Sequence, residues 1–352
     1  MFYISTTGHS ASTWLAAALS SHPKVICFHG TADIPPDSGL NLSPQQIAQS
    51  FYLMDQNCQH TGAKVFGSCH DDKNNGTRLK KAFTDLGGNF FSMLRDPVQR
   101  INSLFFARII SYLSLGKDSR YGYVDDSWLQ AVLSHDNLLA ANKIYGQDIG
   151  RLFVNSRDYS PDCLNPPSSS LLFRFYHLHQ KWLERGKSKF INKIHARLSI
   201  EPHPHLRHPS VHEYGLDDYI YELKGLDLPF FGALALLGFK SVCVQVFKYD
   251  LDTMKNCDDS EIIKMEAIVS DPSYFRSKFN EALGLDFSDE ILANAYSTNP
   301  NSKNLHTKST VGKSQTILKS WPNLFQETFF EKLIGSHSSE LYQDFGYIIP
   351  SR

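Results

Sequence analysis

Over the first hundred residues, apolar positions come in short blocks separated by polar, turn-forming pieces, and the blocks alternate between two kinds of pattern. Phe2–Thr6 and Asn89–Leu94 are near-continuous apolar runs with aromatic and branched residues, as expected of strands buried on both faces. Lys24–Phe28 and Ala63–Cys69 read the same way. Between these runs the spacing is helical. Ser12–Ser21 is rich in Ala and Leu and stops before Pro23. Ser43-Pro44 supplies a helix start, with Ser as N-cap and Pro in the first turn, and predicts a helix over Gln45–Met54. Further helices are predicted over Thr77–Leu86 and, after the break at Arg95-Asp96-Pro97, over about Val98–Leu115. Strands alternating with helices imply βαβ units, and so an α/β fold with a parallel sheet and helices on both faces.

The middle of the chain, about Gly116 to Pro229, loses this rhythm. Leu171, Leu172, Phe175, Leu178, Trp182 and Leu183 fall at helical spacing, while Pro161, Pro166 and Pro167 mark turns. This region is predicted to be a largely helical insertion at 108–238 in a single domain spanning 1–352, shaping the site of a second substrate. The strand–helix pattern returns after Lys240. It predicts a strand at Ser241–Phe247, helices over about Ser260–Leu283 and Ser288–Ala295, and a terminal helical region from Asn323. The most apolar stretch, Phe230–Phe239, contains Gly232 and Gly238 and precedes Lys240. At that length it is too short to span a bilayer and reads as core.

Composition narrows the function classes. With 35 basic and 36 acidic residues there is no net field to attract nucleic acid or an anionic membrane, so any anion site must come from placed residues. Hydrophobic content of 41% and charged content of 20% fit a soluble globular enzyme. The six cysteines show no Cys-x-x-Cys spacing and suit small buried hydrophobes. The N-terminus enters a predicted strand without a basic leader, so the expected compartment is cytoplasmic, with neither nucleic acid nor membrane as partner.

Two segments carry candidate chemistry. In Phe2 to Leu15 a strand runs into the small-residue loop Thr7-Gly8-His9-Ser10-Ala11, which opens a helix at Ser12-Thr13-Trp14. That arrangement aims backbone N–H groups and the positive end of a helix dipole at one spot, a geometry that holds phosphate, and Ser10, Ser12 and Thr13 add hydroxyl donors. The Gly-Lys-Ser/Thr ending of a Walker A loop is missing, and a tight strand–helix turn of small residues is the plain alternative. In the second segment, Phe90 to Phe105, an apolar strand ends at Arg95 and a Pro-started helix presents Ser103 about two turns later. Arg95 and Ser103 can grip one phosphate from two sides; otherwise Arg95 pairs with Asp96 or Asp125.

Taken together, the segments resemble the family of sulfotransferases that use 3′-phosphoadenosine-5′-phosphosulfate (PAPS). Thr7-Gly8-His9-Ser10-Ala11-Ser12-Thr13-Trp14 resembles that family's 5′-phosphosulfate loop. Leu94-Arg95-Asp96-Pro97 through Ser103 resembles its 3′-phosphate motif, in which the Arg and the Ser hold the nucleotide. Ala63–His70 resembles the strand carrying the catalytic histidine, and Val246–Leu251 a strand end farther on. Phe279–Phe287 resembles the helix and Leu-Gly-Leu after it, and Lys308-Ser309-Thr310-Val311-Gly312 weakly resembles a late loop that closes over the nucleotide through Lys308 and Gly312. The likeness covers residues 1–106 and roughly 240–346 and leaves the middle uncovered. It implies a P-loop-like, three-layer α/β domain. PAPS would be the sulfuryl donor, leaving 3′-phosphoadenosine-5′-phosphate (PAP), and the acceptor would be a hydroxyl or amine of a small molecule or carbohydrate. Two positions depart from the family: His9 stands where Lys or Arg is usual, and Thr307 and Ser309 stand where Arg and Gly are usual.

Sulfuryl transfer needs positioned reactants, charge stabilisation on the leaving oxygen, and a base for the acceptor's proton. His70, at the end of its strand, is the expected base; the alternatives are His29, at the end of the second strand, or a polar surface role for His70 beside Asp71 and Asp72. His9 is expected to serve the leaving phosphate as a cation. No metal is expected: the His-rich stretch Glu201–His212 holds three prolines and reads as a solvated loop. Asn41-Leu42-Ser43 and Asn75-Gly76-Thr77 fit a glycosylation pattern that is irrelevant in the cytoplasm. Tyr121, Tyr123 and Trp128 either line an acceptor pocket or pack. Acceptor identity and oligomeric state are left open. An ATP-dependent small-molecule kinase and a nucleotide-binding pseudoenzyme are the competing readings. An adjacent dianion raises an imidazole's pKa, so activity should fall at alkaline pH as His9 deprotonates, and a His9→Lys variant should remove that fall in a pH–rate profile. A profile that matches the parent's would count against the role.

Overall fold

The computed structural model describes residues 1–7, 11–29, 42–60, 62–72, 76–114, 130–154, 228–297 and 340–347. The elements in chain order are β1 (Phe2–Thr6), α1 (Ser12–Ser20), β2 (Val25–His29), α2 (Pro44–Gln59), β3 (Val65–Asp71), α3 (Lys80–Thr84), β4 (Asn89–Leu94) and α4 (Pro97–Ser114). They continue with α5 (His135–Val154), α6 (Leu228–Asn256), β5 (Ile262–Lys264), α7 (Met265–Ser270), α8 (Pro272–Leu283) and α9 (Asp289–Ser297). The described residues form two compact units. One contains Met1–Leu104 and the described residues from Val242 onward; the other contains those of Phe105–Ser241.

The first unit is an α/β structure. Its five strands form one sheet in the order β2-β3-β1-β4-β5, with every pair parallel. β1 lies in the centre, pairing Ser5 with His70 of β3 and with Ser92 of β4. Because all strands run the same way, their carboxyl ends share one edge. The connection from β1 leads toward β2 and that from β4 toward β5, so the topological switch point falls between β1 and β4.

Alternation along each strand divides the core in two. Phe2 and Ile4 of β1, with Phe91 and Met93 of β4, face Trp14, Leu15 and Leu19 of α1 and the apolar sides of α7, α8 and α9. Tyr3 and Phe90 face Ile47 and Phe51 of α2 and Phe83 of α3. Tyr3 sits at the middle of the second cluster, its ring 5.0 Å from Phe83, 5.8 Å from Phe51 and 6.1 Å from Phe90. Burying each such ring is worth about 1.5–3 kcal/mol, so the two faces together supply most of what orders the sheet.

Local signals fix two helix ends, the first of them as the sequence predicts. Ser43 caps α2: its hydroxyl accepts from Gln46 N–H at 3.2 Å and Gln46 Oε1 accepts from Ser43 N–H at 2.8 Å. α8 ends at Gly284, φ 61°, where Leu285 N–H reaches back to the Asn280 carbonyl at 3.0 Å.

The strand expected at Ser241–Phe247 is not a strand. These residues lie within the 29-residue helix α6, and the likeness of Val246–Leu251 to a strand end fails with it. The Val-rich run has strand propensity, but helix propensity differences are only tenths of a kcal/mol per residue. Val242, Val244, Val246 and Phe247 are all buried along the helix, so packing outweighs propensity. α6 also absorbs Phe230–Phe239. Its length and an 18-residue window of mean hydropathy 1.8 suffice to cross a membrane by composition alone, but that window is wholly buried inside the protein. The fifth strand is instead the three residues Ile262–Lys264, and the helix expected over Ser260–Leu283 is split into β5, α7 and α8. The helix expected over Thr77–Leu86 is shortened to α3. The helix at Leu171–Leu183, the terminal region from Asn323, the His-rich stretch and Tyr121, Tyr123 and Trp128 lie outside the described residues.

In the second unit α5 lies against the start of α6. Asn137 Nδ2 donates to the carbonyls of Val132 (2.8 Å) and Leu228 (2.9 Å), and a Cβ on Gly232 would sit 2.8 Å from that nitrogen. Glycine is what allows this approach.

The edge of β1 depends on a similar economy of volume. A Cβ on Gly67 of β3 would fall 2.4 Å from the ring of Phe2 on the neighbouring strand. Gly67→Ala should therefore force Phe2 from its place and lower stability by about 1–3 kcal/mol in denaturant melts, whereas Phe2→Leu with Gly67→Ala should recover part of the loss.

Candidate functional site

The carboxyl edge of the sheet is assembled from four connections. β1 is tied to β3 where both end: Thr6 Oγ1 donates to the His70 carbonyl at 3.0 Å, and Asp72 N–H donates to the Thr6 carbonyl at 2.8 Å. Thr7 follows, fully buried. The chain enters α1 through Ala11, whose φ of 56° and ψ of 21° are left-handed. An alanine there costs about 1–2 kcal/mol relative to a right-handed conformation. Among the described residues no side chain caps α1. A left-handed residue followed by a helix turns successive N–H groups to one side, which favours a negative charge in front of them.

His29, at the end of β2, comes to this helix start. Its Nε2 lies 2.8 Å from Ser12 Oγ and 3.3 Å from Thr13 Oγ1. The sequence separates these groups by 16 and 17 positions, and the parallel crossover β1–α1–β2 joins them. Trp14 turns away from this point: its indole N–H donates to the Ala295 carbonyl at 3.0 Å and its ring meets Tyr296 edge-on at 5.2 Å. Trp14 thus anchors α1 to α9.

Across the switch point, β4 ends at Leu94 and Arg95 follows, half-buried. Asp96 serves as the cap of α4, its carboxylate accepting from Gln99 N–H at 2.8 Å. Asp96 N–H in turn donates to Glu266 Oε1 at 2.9 Å, and Tyr347 donates to Glu266 Oε2 at 3.1 Å. Burial, and next the positive charge of Arg100, lower the pKa of Arg95, with Glu266 and Asp96 opposing. The two guanidinium groups at this strand end stand among three carboxylates, those of Asp96, Glu266 and Asp250. Ser103 lies half-buried in the second turn of α4.

Arg100 itself is the residue that the sequence reading passed over. Its side chain is completely buried, with Nη1 2.8 Å from Asp250 Oδ1 of α6, whose side chain is equally buried. Nη2 donates to the Arg95 carbonyl at 2.9 Å, and Nη1 reaches Thr7 Oγ1 at 3.5 Å. Tyr342 donates to the other Asp250 oxygen at 2.8 Å, and the guanidinium carbon lies 5.8 Å from the ring centroid of Tyr249. Burial pushes the Asp250 carboxyl up to about 6 against the pull of Arg100 and Tyr342. The signal available in the sequence was a second arginine in Arg95-Asp96-Pro97-Val98-Gln99-Arg100; no local pattern marks Asp250 or Tyr342 as its partners.

His70 is the penultimate residue of β3 and is only 6% exposed, with its ring 6.2 Å from that of Tyr3. The structure thus brings Thr7, Ala11, Ser12, Thr13 and His29 to one helix start and Arg95 to the adjoining strand end, and it buries His70 on the face that Tyr3 lines. Gly8, His9, Ser10, Lys308 and Gly312 lie outside the described residues. Fold and edge together define an α/β protein with a five-stranded parallel sheet. No protein-family model, curated protein or solved structure matches the chain.

A buried ion pair broken from one side leaves an uncompensated charge. Arg100→Ala should cost about 3–5 kcal/mol in urea unfolding, and the double replacement Arg100→Met with Asp250→Leu should be markedly more stable than the single variant. Additive losses would show that the two charges do not act as a pair.

Proposed function

We propose that this chain is a PAPS-dependent sulfotransferase built on a three-layer, P-loop-like domain. The reading is carried by one observation: the left-handed entry to α1 stands at the end of the central strand, and Arg95 stands at the end of the next strand across the switch point. Ligands of open parallel sheets bind at such switch points, and a helix start with an arginine beside it suits a ligand with two separate phosphate groups. In this reading the turn from Thr7 to Thr13 holds the 5′-phosphosulfate, and Arg95 with Ser103 holds the 3′-phosphate. His9, Lys308 and Gly312 keep the roles the family resemblance implies. The acceptor is a hydroxyl or amine of a small molecule or carbohydrate, and the compartment is cytoplasmic.

The chemistry asked of the protein is modest. An acceptor oxygen or nitrogen attacks sulfur as the bond to the phosphate oxygen breaks; the protein aligns the groups and stabilises the charge that develops on the leaving oxygen. The acceptor's proton needs a base within hydrogen-bond reach. His29 fits this better than His70, because it is exposed and already shares the hydroxyls at the start of α1, whereas His70 is enclosed.

Thermal melting with PAP, 5′-AMP and ATP–Mg²⁺ tests the reading. A ligand at about a hundred times its Kd adds about 2.7 kcal/mol, and PAP should give that selectively, with the effect lost in Arg95→Ala. Equal stabilisation by ATP would favour a kinase, and no response to any of the three would sink the reading. PAP binding without sulfuryl transfer to any acceptor would mark a pseudoenzyme. Among variants that still bind PAP, His29→Ala should lose at least about a hundredfold in kcat while His70→Ala changes it little; the reverse order would return the base to His70.

A further inference from the structure

Arg100 has no exposed surface, so it cannot itself touch a ligand at the sheet edge. Its contacts nevertheless fall on both sides of the switch point. One arm of the guanidinium, Nη2, holds the carbonyl of Arg95; the other, Nη1, lies 2.8 Å from Asp250 Oδ1 and approaches the hydroxyl of Thr7 at 3.5 Å. Asp250 is fastened in turn by Tyr342, from the far end of the chain. Among the described residues Arg100 Nε has no hydrogen-bond partner, and the contacts of the group are made by its two terminal nitrogens. A simple charge anchor for α6 would need one contact to Asp250; the second and third contacts go to the backbone of Arg95 and to Thr7.

We propose that Arg100 is a positioning residue of the anion site, a buried clamp that sets the backbone of Arg95 against the turn at Thr7 so that both phosphates of one nucleotide are met at once. The proposal rests on the sulfotransferase reading above. It assigns to the fork shape of the guanidinium, rather than to its charge, the task of joining the two half-sites.

Arg100→Lys separates the two contributions in the full-length protein. Lysine retains a cation for Asp250 but lacks the planar second arm that holds the Arg95 carbonyl. Calorimetric titration with PAP should show affinity reduced about tenfold, with the preference for PAP over 5′-AMP reduced as well. In an Arg95→Lys background, which weakens the grip on PAP without abolishing it, the same Arg100→Lys change should cost less affinity than in the parent, because part of its effect runs through Arg95. Tyr342→Phe, which loosens only the Asp250 anchor, should reduce PAP affinity in the same direction by about two- to threefold, and it decides the matter if the lysine variant fails to fold. A folded Arg100→Lys or Tyr342→Phe protein with a lowered melting temperature but the parent's PAP affinity and selectivity would overturn the clamp and leave the sulfotransferase reading standing. Fully additive losses with Arg95→Lys would overturn the route through Arg95. Failure of the parent to bind PAP would overturn the reading and the clamp with it.

Discussion

The contact on which the described site depends most is the buried pair between Arg100 and Asp250. Two full charges removed from water are costly, and their attraction offsets that cost only when the remaining hydrogen-bonding capacity is also used. Here it is used in part: the arginine gives its second arm to the Arg95 carbonyl and the aspartate's second oxygen receives the Tyr342 hydroxyl, while Arg100 Nε and, its ion pair with Nη1 aside, Asp250 Oδ1 have no hydrogen-bond partner among the described residues. Segments more than 90 positions apart therefore meet at one point: the turn after β1, the junction of β4 and α4, α6 and the C-terminal stretch. A hydrophobic patch could bring such segments together, but only directional groups determine which backbone atom of each is presented.

The sheet supplies the frame in which that contact has meaning. A parallel sheet places every strand end on one edge, and with β1 in the centre the two crossovers that leave β1 and β4 diverge. Apolar packing covers both faces, through α1 and α7–α9 on one side and α2 and α3 on the other. α6 adds a polar seam to the second face: Ser92 lies 2.8 Å from the Tyr249 hydroxyl and 2.7 Å from the Thr253 hydroxyl, while Asp252 accepts from Thr77 N–H at 2.8 Å and from its hydroxyl at 2.7 Å. Such bonds are worth about 1 kcal/mol each, but inside a core they fix the register of a long helix more sharply than valines and leucines do.

Much of this was legible because it is local. β1 and β4 fall where their apolar runs fall, residue for residue, and Ser43-Pro44 starts α2 through hydrogen bonds spanning three positions. The turn from β1 into α1 and Arg95 at the end of β4 were recognisable as strand ends rich in donors. α6 and β5 were not legible, for complementary reasons. A Val-rich run buried all round has no polar face from which to read a period, so strand and helix look alike. Ile262–Lys264 is too short to show a pattern, and it becomes a strand only because β4 offers it an edge, pairing Leu94 with Lys264.

The sequence by itself determined the α/β class, the strands and helices of the first hundred residues, and the candidate residues at their ends, since each depends on side chains a few positions apart. Tertiary structure alone decided the order of the strands, the helical state of α6, the meeting of His29 with Ser12 and Thr13, and the partnership of Arg100 with Asp250 and Tyr342. These depend on which distant segments share a buried volume, and there the free energy of packing and of satisfying buried polar groups exceeds the tenths of a kcal/mol that local propensity contributes.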